Sequence, residues 1–458
     1  MNKPVLKKVG EVCRFVGGSQ PPKSIFSSEM KDGYVRLIQI RDYKTDNFKT
    51  YIPKETTKKF CTKDDILIGR YGPPIFQILR GIEGAYNVAL MKAIPKKDIT
   101  NDYLYYFLTQ KSLFEYINAL SPRTGGQTGV DVPMLNEYPI LLPEKSNQKQ
   151  IAKVLSDLDA KIEVNNKINQ QLEAMAKMVY DYWFVQFDFP MPEDYASSIG
   201  KPELAGKPYK TSGGRMVYNS ELKREIPEGW EEGTILNCAD LLGGGTPKKE
   251  IPKYWNGEIP FFTPTDTENN VFCLKTILYT NELGISSSST KLFDKGTILI
   301  TARGTVGKIN IAGKPMAMNQ SCYALKPKTN FSSEFIYFHT DQIVKYLKAK
   351  SSGSIFKAIV TNDFKFTPTI VPDVEIVKLY SKRISSMFET ILNNKKQNQK
   401  LAELRDWLLP MLMNGQVRVA HSLEEGNPRE AYDVVEDVVS GPDSYREAAE
   451  RDGKYGEG

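Results

Sequence analysis

The segment Gly17-Gly18-Ser19-Gln20-Pro21-Pro22-Lys23 recurs in the second half of the chain as Gly243-Gly244-Gly245-Thr246-Pro247-Lys248. A second pair of similar segments, with a shared Ile-Leu-Ile core, lies at residues 65–72 and 296–304. Further matches follow in the same order: Asn87 with Asn319, 103–107 with 335–338, and 138–143 with 366–372. After the opening segment the shift stays near 229 to 232 residues. Constant order and spacing of this kind indicate an internal duplication.

Each copy combines strand-like and helical segments. Apolar runs bounded by Gly, Pro and Asp, such as 34–40 and 297–300, are typical of strands. Aromatic-rich segments at 102–118 and 333–348 have helical spacing of their apolar residues. The sequence therefore predicts the α+β class, with two repeated mixed α/β domains of roughly 140 residues each.

A long helical pattern follows each copy. In the first, apolar residues recur at helical spacing over 151–183 until Pro190 stops the pattern. Asn147 with Gln150 three residues later resembles a capping box at its start. The second pattern extends over 384–411. The first helix could extend for about 60 Å, and such a length is typical of a coiled coil.

Polar residues interrupt both helical patterns at equivalent positions. The interruptions are Asn165, Asn166 and Asn169 in the first helix and Asn394, Lys395 and Asn398 in the second. A polar residue in the seam of a helix pair costs stability but fixes its register. We therefore expect the asparagines to set the register of two long antiparallel coiled-coil helices, although two unrelated surface helices are an alternative. Such pairing would place the domains at opposite ends of a rod, related by pseudo-twofold symmetry.

These patterns predict six segments along the chain. They are domain 1 at 1–145, the central long helix at 146–189, a linker at 190–225, domain 2 at 226–373, the C-terminal long helix at 374–416 and an acidic tail at 417–458.

The composition is that of a folded globular chain. Hydrophobic residues make up 40% and charged residues 25% of the 458 residues, as in ordinary soluble domains. No apolar run reaches the roughly 18 to 20 residues of a membrane helix, and the N-terminus lacks a signal peptide's apolar stretch. We therefore expect a cytoplasmic protein without a membrane partner. The five cysteines form no Cys-x-x-Cys pair, so buried free thiols are expected and a zinc site is not.

The net charge of +6 hides an asymmetry along the chain. From Ala420 onward, eleven Asp and Glu residues accompany four Lys and Arg residues, so this tail has a charge of −7. The preceding 419 residues therefore have a charge of +13. A basic body is compatible with a polyanionic partner such as nucleic acid, although solubility alone can explain it.

Signatures of catalysis are missing from the sequence. Gly304 to Lys308 has two residues between its glycines instead of the four of a phosphate loop, and Ile309 follows in place of Ser or Thr. The segment 372–378 resembles a nuclease carboxylate cluster, but its lysine is one position too far and a strand end explains it better. No Asn-Pro-Pro-aromatic tetrad of a methyltransferase is present, and two histidines leave little room for a catalytic triad. We expect a chain that is not an enzyme.

With these features, the chain resembles the specificity subunit of type I restriction-modification systems. The resemblance covers about residues 1–416 and rests on the duplicated domain with its Gly-Gly-x-x-Pro opening. The segment 148–189, with Tyr-Asp-Tyr-Trp-Phe at 180–184, is similar to the central region of that family. The linker 206–214 and the segment 225–230 are similar as well.

The resemblance implies that each domain is a target recognition domain for one half of a split double-stranded DNA sequence. It also implies two methyltransferase subunits as partners, together with restriction/translocase subunits. S-adenosylmethionine, ATP and Mg would then belong to the partner subunits, and this chain would bind no cofactor. The acidic tail has no counterpart in the duplication, and its role is not indicated.

Candidate DNA contacts lie on loops, where polar side chains can reach base edges and Lys or Arg can reach phosphates. In domain 1 they are Ser19, Gln20, Lys23, Arg70, Tyr71, Arg123, Thr124 and Gln127. In domain 2 they are Thr246, Lys248, Lys249, Arg303, Lys308, Ser352, Ser354 and Lys357. Turn formation by the glycine loops and surface ion pairs are the structural alternatives. We expect Asn87 and Asn319 to form structural turns and the 103–107 stripe to belong to the core.

Two other functions remain open from the sequence. One is a non-catalytic coiled-coil scaffold whose domains bind proteins instead of DNA. The other is a recognition subunit of a fused or self-contained restriction-methylation enzyme outside type I. A neighbouring gene with a methyltransferase tetrad would argue against the scaffold.

The first prediction concerns the spacing of the two half-sites. Two domains that bind one face of DNA need half-sites about one helical turn, near 34 Å, apart. Inserting four residues, about 6 Å of helix, between Asn169 and Leu172 should lengthen the unrecognised gap by one or two base pairs. Each base pair adds about 3.4 Å along the duplex, and both half-sequences should stay the same. Mapping of methylated sites would measure the gap. An unchanged gap in a folded, methylating variant would show that the helices do not set the spacing.

Overall fold

The computed structural model describes residues 4–72, 74–120, 129–268, 270–350, 358–417 and 419. The chain divides into two compact units. The first combines Met1–Lys161 with Lys400–Gly458, and the second is Ile162–Gln399. Each predicted domain therefore lies in a different unit.

The elements before the central helix belong to the first unit. They are β1 (Val5–Lys8), α1 (Val9–Val12), β2 (Cys13–Gly17), β3 (Tyr34–Ile38), β4 (Tyr51–Pro53), β5 (Phe60–Cys61), β6 (Ile66–Gly69), β7 (Ile78–Leu79), β8 (Gly84–Tyr86), β9 (Leu90–Pro95), α2 (Asn101–Leu108), α3 (Lys111–Leu120), α4 (Val132–Glu137) and β10 (Pro139–Leu142). The long helix α5 (Lys145–Tyr180) follows and continues as one π-helical turn, Asp181–Val185.

The remaining elements follow in chain order. They are α6 (Glu193–Ser198), β11 (Met216–Asn219), β12 (Arg224–Pro227), β13 (Glu231–Gly233), α7 (Ile235–Cys238), β14 (Ala239–Gly243), β15 (Ile259–Phe262), β16 (Phe272–Cys273), β17 (Leu278–Thr280), α8 (Glu282–Ser286), β18 (Ile298–Thr301), β19 (Ile309–Ala312), β20 (Ala317–Met318), β21 (Cys322–Pro327), α9 (Ser333–Lys350), α10 (Thr361–Phe366), β22 (Thr369–Val371) and the second long helix, α11 (Val374–Met413).

Two sheets form the body of domain 1. One has the order β2-β9-β6-β7 and the other the order β4-β3-β8-β5, with β3 and β8 parallel. The Ile-Leu-Ile strand β6 is buried along its whole length. Ile66 and Ile68 pack in one core with Tyr103 and Phe107, while Leu67 packs in a second core. Because successive side chains of a strand point to opposite faces, an unbroken apolar run suits a strand covered on both sides.

Domain 2 repeats this topology. Its larger sheet has the order β14-β21-β18-β19-β16, and β15 and β20 form the parallel pair that corresponds to β3 and β8. Strand β18 again divides its residues between two cores: Ile298 and Ile300 lie in one, and Leu299 lies in the other. The α+β class and the duplication are therefore confirmed.

The first and last strands of each domain pair with each other. In domain 1, β1 pairs antiparallel with β10, and in domain 2, β13 pairs antiparallel with β22. This closure brings the beginning and the end of each domain together, directly before a long helix. The chain therefore enters and leaves each domain at neighbouring positions.

The long helix α5 differs from the prediction at both ends. It begins at Lys145, so Asn147 lies inside the helix and the predicted capping box is wrong. Instead, the buried Gln148 amide donates to the carbonyls of Asp98 (3.0 Å) and Pro143 (2.9 Å), and its oxygen accepts from the Thr100 N–H. The helical backbone ends at Val185, four residues before the predicted end, and Phe187 has a φ of +68°. That φ lies in the left-handed region, where a right-handed helix cannot continue.

The aromatic segment of domain 1 is also broken where one helix was expected. Helices α2 and α3 are separated at Thr109, whose hydroxyl donates to the carbonyl of Tyr106 at 2.8 Å. Such local side-chain bonds compete with helix continuation. The equivalent segment of domain 2 is the single helix α9. The 103–107 stripe is largely buried, which confirms it as core.

The segment predicted as a linker is folded. Phe189 stacks between Tyr209 and Trp230, with ring centroids 4.7 and 5.0 Å away. The hairpin of β11 and β12 follows this aromatic stack, and the residues from Phe187 to Met191 are mostly buried. Residues 190–225 are therefore part of the second unit's structure and not an extended connection.

The long helices pair with each other in both units. In the first unit, Leu155 of α5 shares a core with Leu409 and Leu412 of α11, and Arg405 forms a 2.7 Å ion pair with Asp159. In the second unit, the Tyr380 hydroxyl donates to the carbonyl of Ala176 at 3.3 Å. Within each unit these contacts correspond to antiparallel helices, as predicted.

Within the described residues, no helix combines the length and apolar character needed to cross a lipid bilayer. All five cysteines are buried and free, as expected.

His339 is a buried titratable group in the second unit. Its imidazole is 2% exposed and is hydrogen-bonded to the Tyr180 hydroxyl at 2.9 Å and the Thr369 hydroxyl at 3.1 Å. Burial lowers the pKa of His339 to about 4, because the charged imidazolium loses its hydration. The unfolded chain therefore binds a proton more readily than the folded chain between about pH 6.5 and pH 4.

The second prediction follows from this titration. Stability due to neutral His339 is fully present above pH 6.5 and is lost as the pH falls toward 4. Going from pH 7 to pH 5 should cost about 2 kcal/mol through this group. Urea unfolding followed by tryptophan fluorescence at both pH values measures the loss. The H339Q variant should be less stable at pH 7 but lose less stability on acidification. Equal losses in both proteins would contradict the prediction.

Candidate nucleic-acid interface

Four separate segments of domain 1 meet at one end of its sheets. In the opening loop, the Ser19 N–H donates to the Tyr86 carbonyl at 3.2 Å. Just after β6, the Arg70 N–H donates to the Ala89 carbonyl at 2.8 Å, and the Arg70 carbonyl accepts from the Val130 N–H at 3.0 Å. We call this junction, residues 17–20, 70–71, 87–89 and 129–130, the tip of domain 1.

The same hydrogen bonds form the tip of domain 2, residues 243–246, 302–303, 319–321 and 358–359. The Gly245 N–H donates to Met318 at 3.1 Å, and the Ala302 N–H donates to Ser321 at 2.8 Å. The Ile359 N–H donates to the carbonyl of Ala302 at 3.0 Å. Each bond has its counterpart in domain 1 within 0.1 Å. The two tips therefore share one backbone framework.

The recurring second glycine of each opening loop is required by close packing. A Cβ on Gly18 would lie 2.0 Å from the Asn87 carbonyl oxygen, and one on Gly244 would lie 2.1 Å from the Asn319 oxygen. Backbone atoms cannot move away as a flexible side chain could, so only glycine fits. These glycines have a structural role, whatever else their loops contact.

Asn87 and Asn319 each close a tight turn at the tip. The Asn87 side-chain oxygen accepts from the Ala89 N–H at 3.2 Å, and that of Asn319 accepts from the Ser321 N–H at 3.0 Å. Side-chain bonds to the backbone two residues ahead are typical of Asx turns. The prediction that both asparagines are structural is confirmed.

The predicted residues of the opening loops differ in accessibility. The Ser19 hydroxyl is hydrogen-bonded to that of Thr57 at 2.6 Å, so it already has a partner within the domain. Gln20 and Lys23 are exposed, as are Lys248 and Lys249 of domain 2. The hydroxyl of Thr246, the residue equivalent to Gln20, donates to the side-chain oxygen of Gln320.

The strand-end arginines occupy neighbouring, not equivalent, positions. Arg70 corresponds to Ala302, and Arg303 corresponds to Tyr71, because the backbone bonds above align these residues. The Arg70 guanidinium lies 5.2 Å from the centre of the Tyr71 ring and is half-buried. Arg303 and Lys308 are exposed. The two tips thus present their positive charges differently.

Six of the predicted contact residues lie outside the described residues. They are Arg123, Thr124 and Gln127 in domain 1 and Ser352, Ser354 and Lys357 in domain 2. The segments that follow them, Gly129–Val130 and Ile359, are bonded into the tips. Contacts by the six residues remain predictions.

One exposed position in each tip was not among the predicted contact residues, namely the middle residue of the asparagine turn. Val88 is 38% exposed and Gln320 is exposed. The only signal for them was adjacency to the recurring asparagines, and that signal does not separate the side chain from the turn.

The predicted register asparagines face each other in the second unit. Asn165 donates to the Asn398 side-chain oxygen at 2.8 Å, and Asn394 donates to that of Asn169 at 2.9 Å. Asn165, Asn169 and Asn398 are all buried. The helices therefore pack on each other at the polar interruptions, as expected. Their role in setting the spacing of half-sites remains a prediction.

The asparagine pairing refines the insertion experiment. Asn169 faces Asn394 and lies 3.5 Å from the Ile391 carbonyl, which its amide approaches as a donor. Four residues inserted after Asn169 therefore need a matching insertion between Ile391 and Asn394, so that the asparagines stay paired. The variant with both insertions is the sharper test of spacing.

Within the described residues, the titratable side chains form neither a metal cluster nor a reactive thiol. Among the residues that the structure describes, no group of three His, Cys, Asp or Glu side chains could hold a metal ion. Burial raises the pKa of Cys13, Cys238, Cys273 and Cys322 to about 12, so these thiols are poor nucleophiles. Asp373 accepts hydrogen bonds from the N–H groups of Glu375 (2.8 Å) and Ile376 (3.3 Å). It joins β22 to α11, so the segment has a structural role, but residues 374–378 begin the helix instead of ending the strand.

Comparison with known families identifies the duplicated domain. The pattern of the type I restriction modification DNA specificity domain matches residues 3–174 and 227–403, one copy for each domain. The chain belongs to this family. As a family member it is a DNA sequence-specificity subunit of a type I restriction-modification system.

Individual relatives agree with the family. The chain is 28% identical over 354 residues to the HindI specificity subunit of Haemophilus influenzae, covering 69% of this chain and 77% of that one. It is 27% identical over 434 residues to the MjaIX specificity subunit of Methanocaldococcus jannaschii, covering 90% and 93%. The solved S subunit from M. genitalium has a TM-score of 0.51 at 17% identity, covering 90% of this chain and 96% of that one, and supports the fold alone.

The third prediction tests the glycine packing of the specificity domain with a matched pair. G244A forces a Cβ against the Asn319 carbonyl and should destabilise domain 2 by about 1–3 kcal/mol. G243A has open space within 4 Å of its new Cβ and should change stability by less than about 1 kcal/mol. Urea midpoints from tryptophan fluorescence separate the two variants. Equal midpoints would refute the packing argument.

Proposed function

We propose that this specificity subunit recognises a bipartite double-stranded DNA sequence, one half with each tip, and has no catalytic site of its own. The observation that carries the proposal is the pair of tips, which share their backbone hydrogen bonds but differ in their exposed side chains. A shared framework supports a shared mode of docking on DNA. Different side chains support different half-sequences.

The positively charged side chains near the tips are consistent with DNA binding by both domains. Lys23, Lys248, Lys249 and Arg303 are exposed, and lysine and arginine side chains on loops commonly bind phosphates. Phosphate contacts position a protein on the duplex, whereas base contacts give sequence specificity. The excess positive charge of the first 419 residues adds a non-specific attraction to DNA that weakens with salt.

An exposed apolar stripe on α5 provides a surface for a partner subunit. Val164, Ile168, Met175 and Met178 recur at intervals of three, four or seven residues and so share one helix face. Met178 is 69% exposed and Met175 is 50% exposed. Isolated exposed apolar side chains are normal, but a continuous stripe indicates a protein interface.

The second long helix is apolar at two of the four equivalent positions, since Asn393 and Gln397 correspond to Val164 and Ile168. At the shift of 229 residues, Met175 and Met178 correspond to Leu404 and Trp407. Leu404 is half-buried and Trp407 is 49% exposed. Two equivalent faces, one on each helix, support binding of two copies of one partner. We assign that partner as the methyltransferase subunit.

Restriction/translocase subunits would join this assembly for cleavage. In this proposal S-adenosylmethionine, ATP and Mg are bound by the partner subunits, and the complex works in the cytoplasm, where the host DNA is. A scaffold that binds only proteins fits less well, because the family of both domains is defined by DNA specificity.

The fourth prediction concerns the replacement of domain 2 as a whole. Residues 231–371 run from β13 to β22, so replacing them by the same span of another family member keeps the closing strand pair together. The methylated sequence should change in one half and keep the other, because each tip recognises its own half. Sequencing of methylated bases in cells with the matching methyltransferase subunit measures this.

The control for the exchange is the purified chain without partners. It should neither methylate nor cleave DNA when S-adenosylmethionine, ATP and magnesium are supplied. A change in both half-sequences, or methylation by the chain alone that a point mutation in it abolishes, would contradict the proposal.

The fifth prediction tests the two apolar faces. M178D and W407D each place a charge on one face and should reduce the methyltransferase subunits bound per chain from two to one. The double variant should bind none. Native mass spectrometry of mixtures with the methyltransferase subunit gives the stoichiometry. L283D, at a side chain that is 60% exposed on α8, serves as the control and should still bind two. Two bound subunits in both single variants would exclude these faces.

A further inference from the structure

The middle residue of each asparagine turn is held in a fixed backbone and has an exposed side chain. In domain 2, the Asn319 N–H donates to Phe262 at 3.0 Å, and Ser321 both accepts from Ala302 and donates to the Asn319 side chain. Gln320 between them is exposed. In domain 1, Asn87 and Ala89 make the same bonds around Val88. A residue with a fixed backbone and an exposed side chain is well suited to contact a ligand.

This turn lies beside the other recognition loops of the tip. The close approach of Gly18 to the Asn87 carbonyl, and of Gly244 to the Asn319 carbonyl, joins the turn to the opening loop. The Arg70 and Ala302 amides join it to the strand end. Anything that contacts the opening loop and the strand end together also comes close to residue 88 or 320.

The two domains place different chemistry at this position. Gln320 has an amide that can donate and accept, and paired hydrogen bonds from glutamine to adenine are a common major-groove contact. Val88 has only methyl groups, which suit contact with the methyl group of thymine. The flanking asparagines are identical, so the middle residue changes the surface without changing the turn.

In domain 2 the glutamine is held by a neighbour. The Thr246 hydroxyl donates to the Gln320 side-chain oxygen. A carbonyl oxygen has two lone pairs, so the oxygen can still accept a second hydrogen bond and the amide nitrogen can still donate. The equivalent pair in domain 1, Gln20 and Val88, cannot form such a bond because valine has no polar atom. Only domain 2 therefore orients an amide at this place.

We infer that residues 88 and 320 are specificity-determining positions, one for each half of the recognised sequence. Gln320 contacts an adenine in the half recognised by domain 2, and Thr246 is its positioning residue. Val88 makes an apolar base contact in the other half. This inference rests on the proposed function, because it assigns individual base contacts to the tips.

Reciprocal variants test the two positions. Q320V and V88Q are made in the full chain and assembled with the methyltransferase subunits, and methylation is measured on a plasmid library with randomised half-sites. Q320V should lower the preference for adenine at one base pair of the domain 2 half by about tenfold, the range of one paired base contact. V88Q should change preference at one base pair of the other half only. Both side chains are exposed, so both variants should fold.

Thr246 is tested by its two closest replacements. T246V removes the hydroxyl and should weaken the adenine preference while the asparagine turn stays intact. T246S keeps the hydroxyl and should restore the wild-type preference, which a role in packing alone would not produce. Unchanged half-sequences in both Q320V and V88Q would overturn the inference.

The outcomes separate this inference from the proposed function. If the wild-type complex methylates no bipartite sequence, the proposed function fails and the inference fails with it. If the wild type does so and Q320V or V88Q changes preference at a single base pair of its own half, the inference is supported. If either variant changes both halves, residues 88 and 320 do not act as separate specificity positions, and the inference fails alone.

Discussion

Buried amide side chains on two paired helices must find hydrogen-bond partners, and in this chain they find them on the opposite helix. Asn165 of α5 donates to Asn398 of α11, and Asn394 of α11 donates to Asn169 of α5, so each helix provides one donor and one acceptor. A buried polar group without a hydrogen-bond partner lowers the stability of the fold by about 1–3 kcal/mol. A shift of either helix by one turn would leave several of these amides without a partner. We therefore expect the asparagines to favour one register, whereas an apolar seam alone would tolerate slippage.

The tips follow a different principle, in which backbone bonds form the framework and side chains vary. Amides and carbonyls from four separate segments form hydrogen bonds with one another in both domains, at nearly the same distances. Because backbone groups form this framework, with Gly18, Gly244 and the turn asparagines as its specific residues, we expect exposed positions of the tips to tolerate substitution. That tolerance fits the proposal that the two copies recognise different half-sequences.

The long helices have two different surfaces, one packed against the other helix and one exposed. Their facing sides hold the asparagines and the apolar seam, and a second face of α5 exposes methionine side chains. Methionine adapts its shape to a partner more easily than branched residues do. The equivalent face of α11 has Trp407, and tryptophan residues often dominate the energetics of interfaces.

The sequence by itself determined the duplication, the α+β class and the two long helices, because repeated motifs and apolar periodicity are local properties of the chain. It also predicted the asparagine interruptions, since equivalent positions in both helices stood out without a structure. The break at Thr109, the internal position of Asn147 and the exposure of Val88 and Gln320 were decided by tertiary structure. These features depend on hydrogen bonds and close contacts between segments far apart in sequence, such as Gln148 with Asp98 or Gly244 with Asn319. Local periodicity contains no information about such partners.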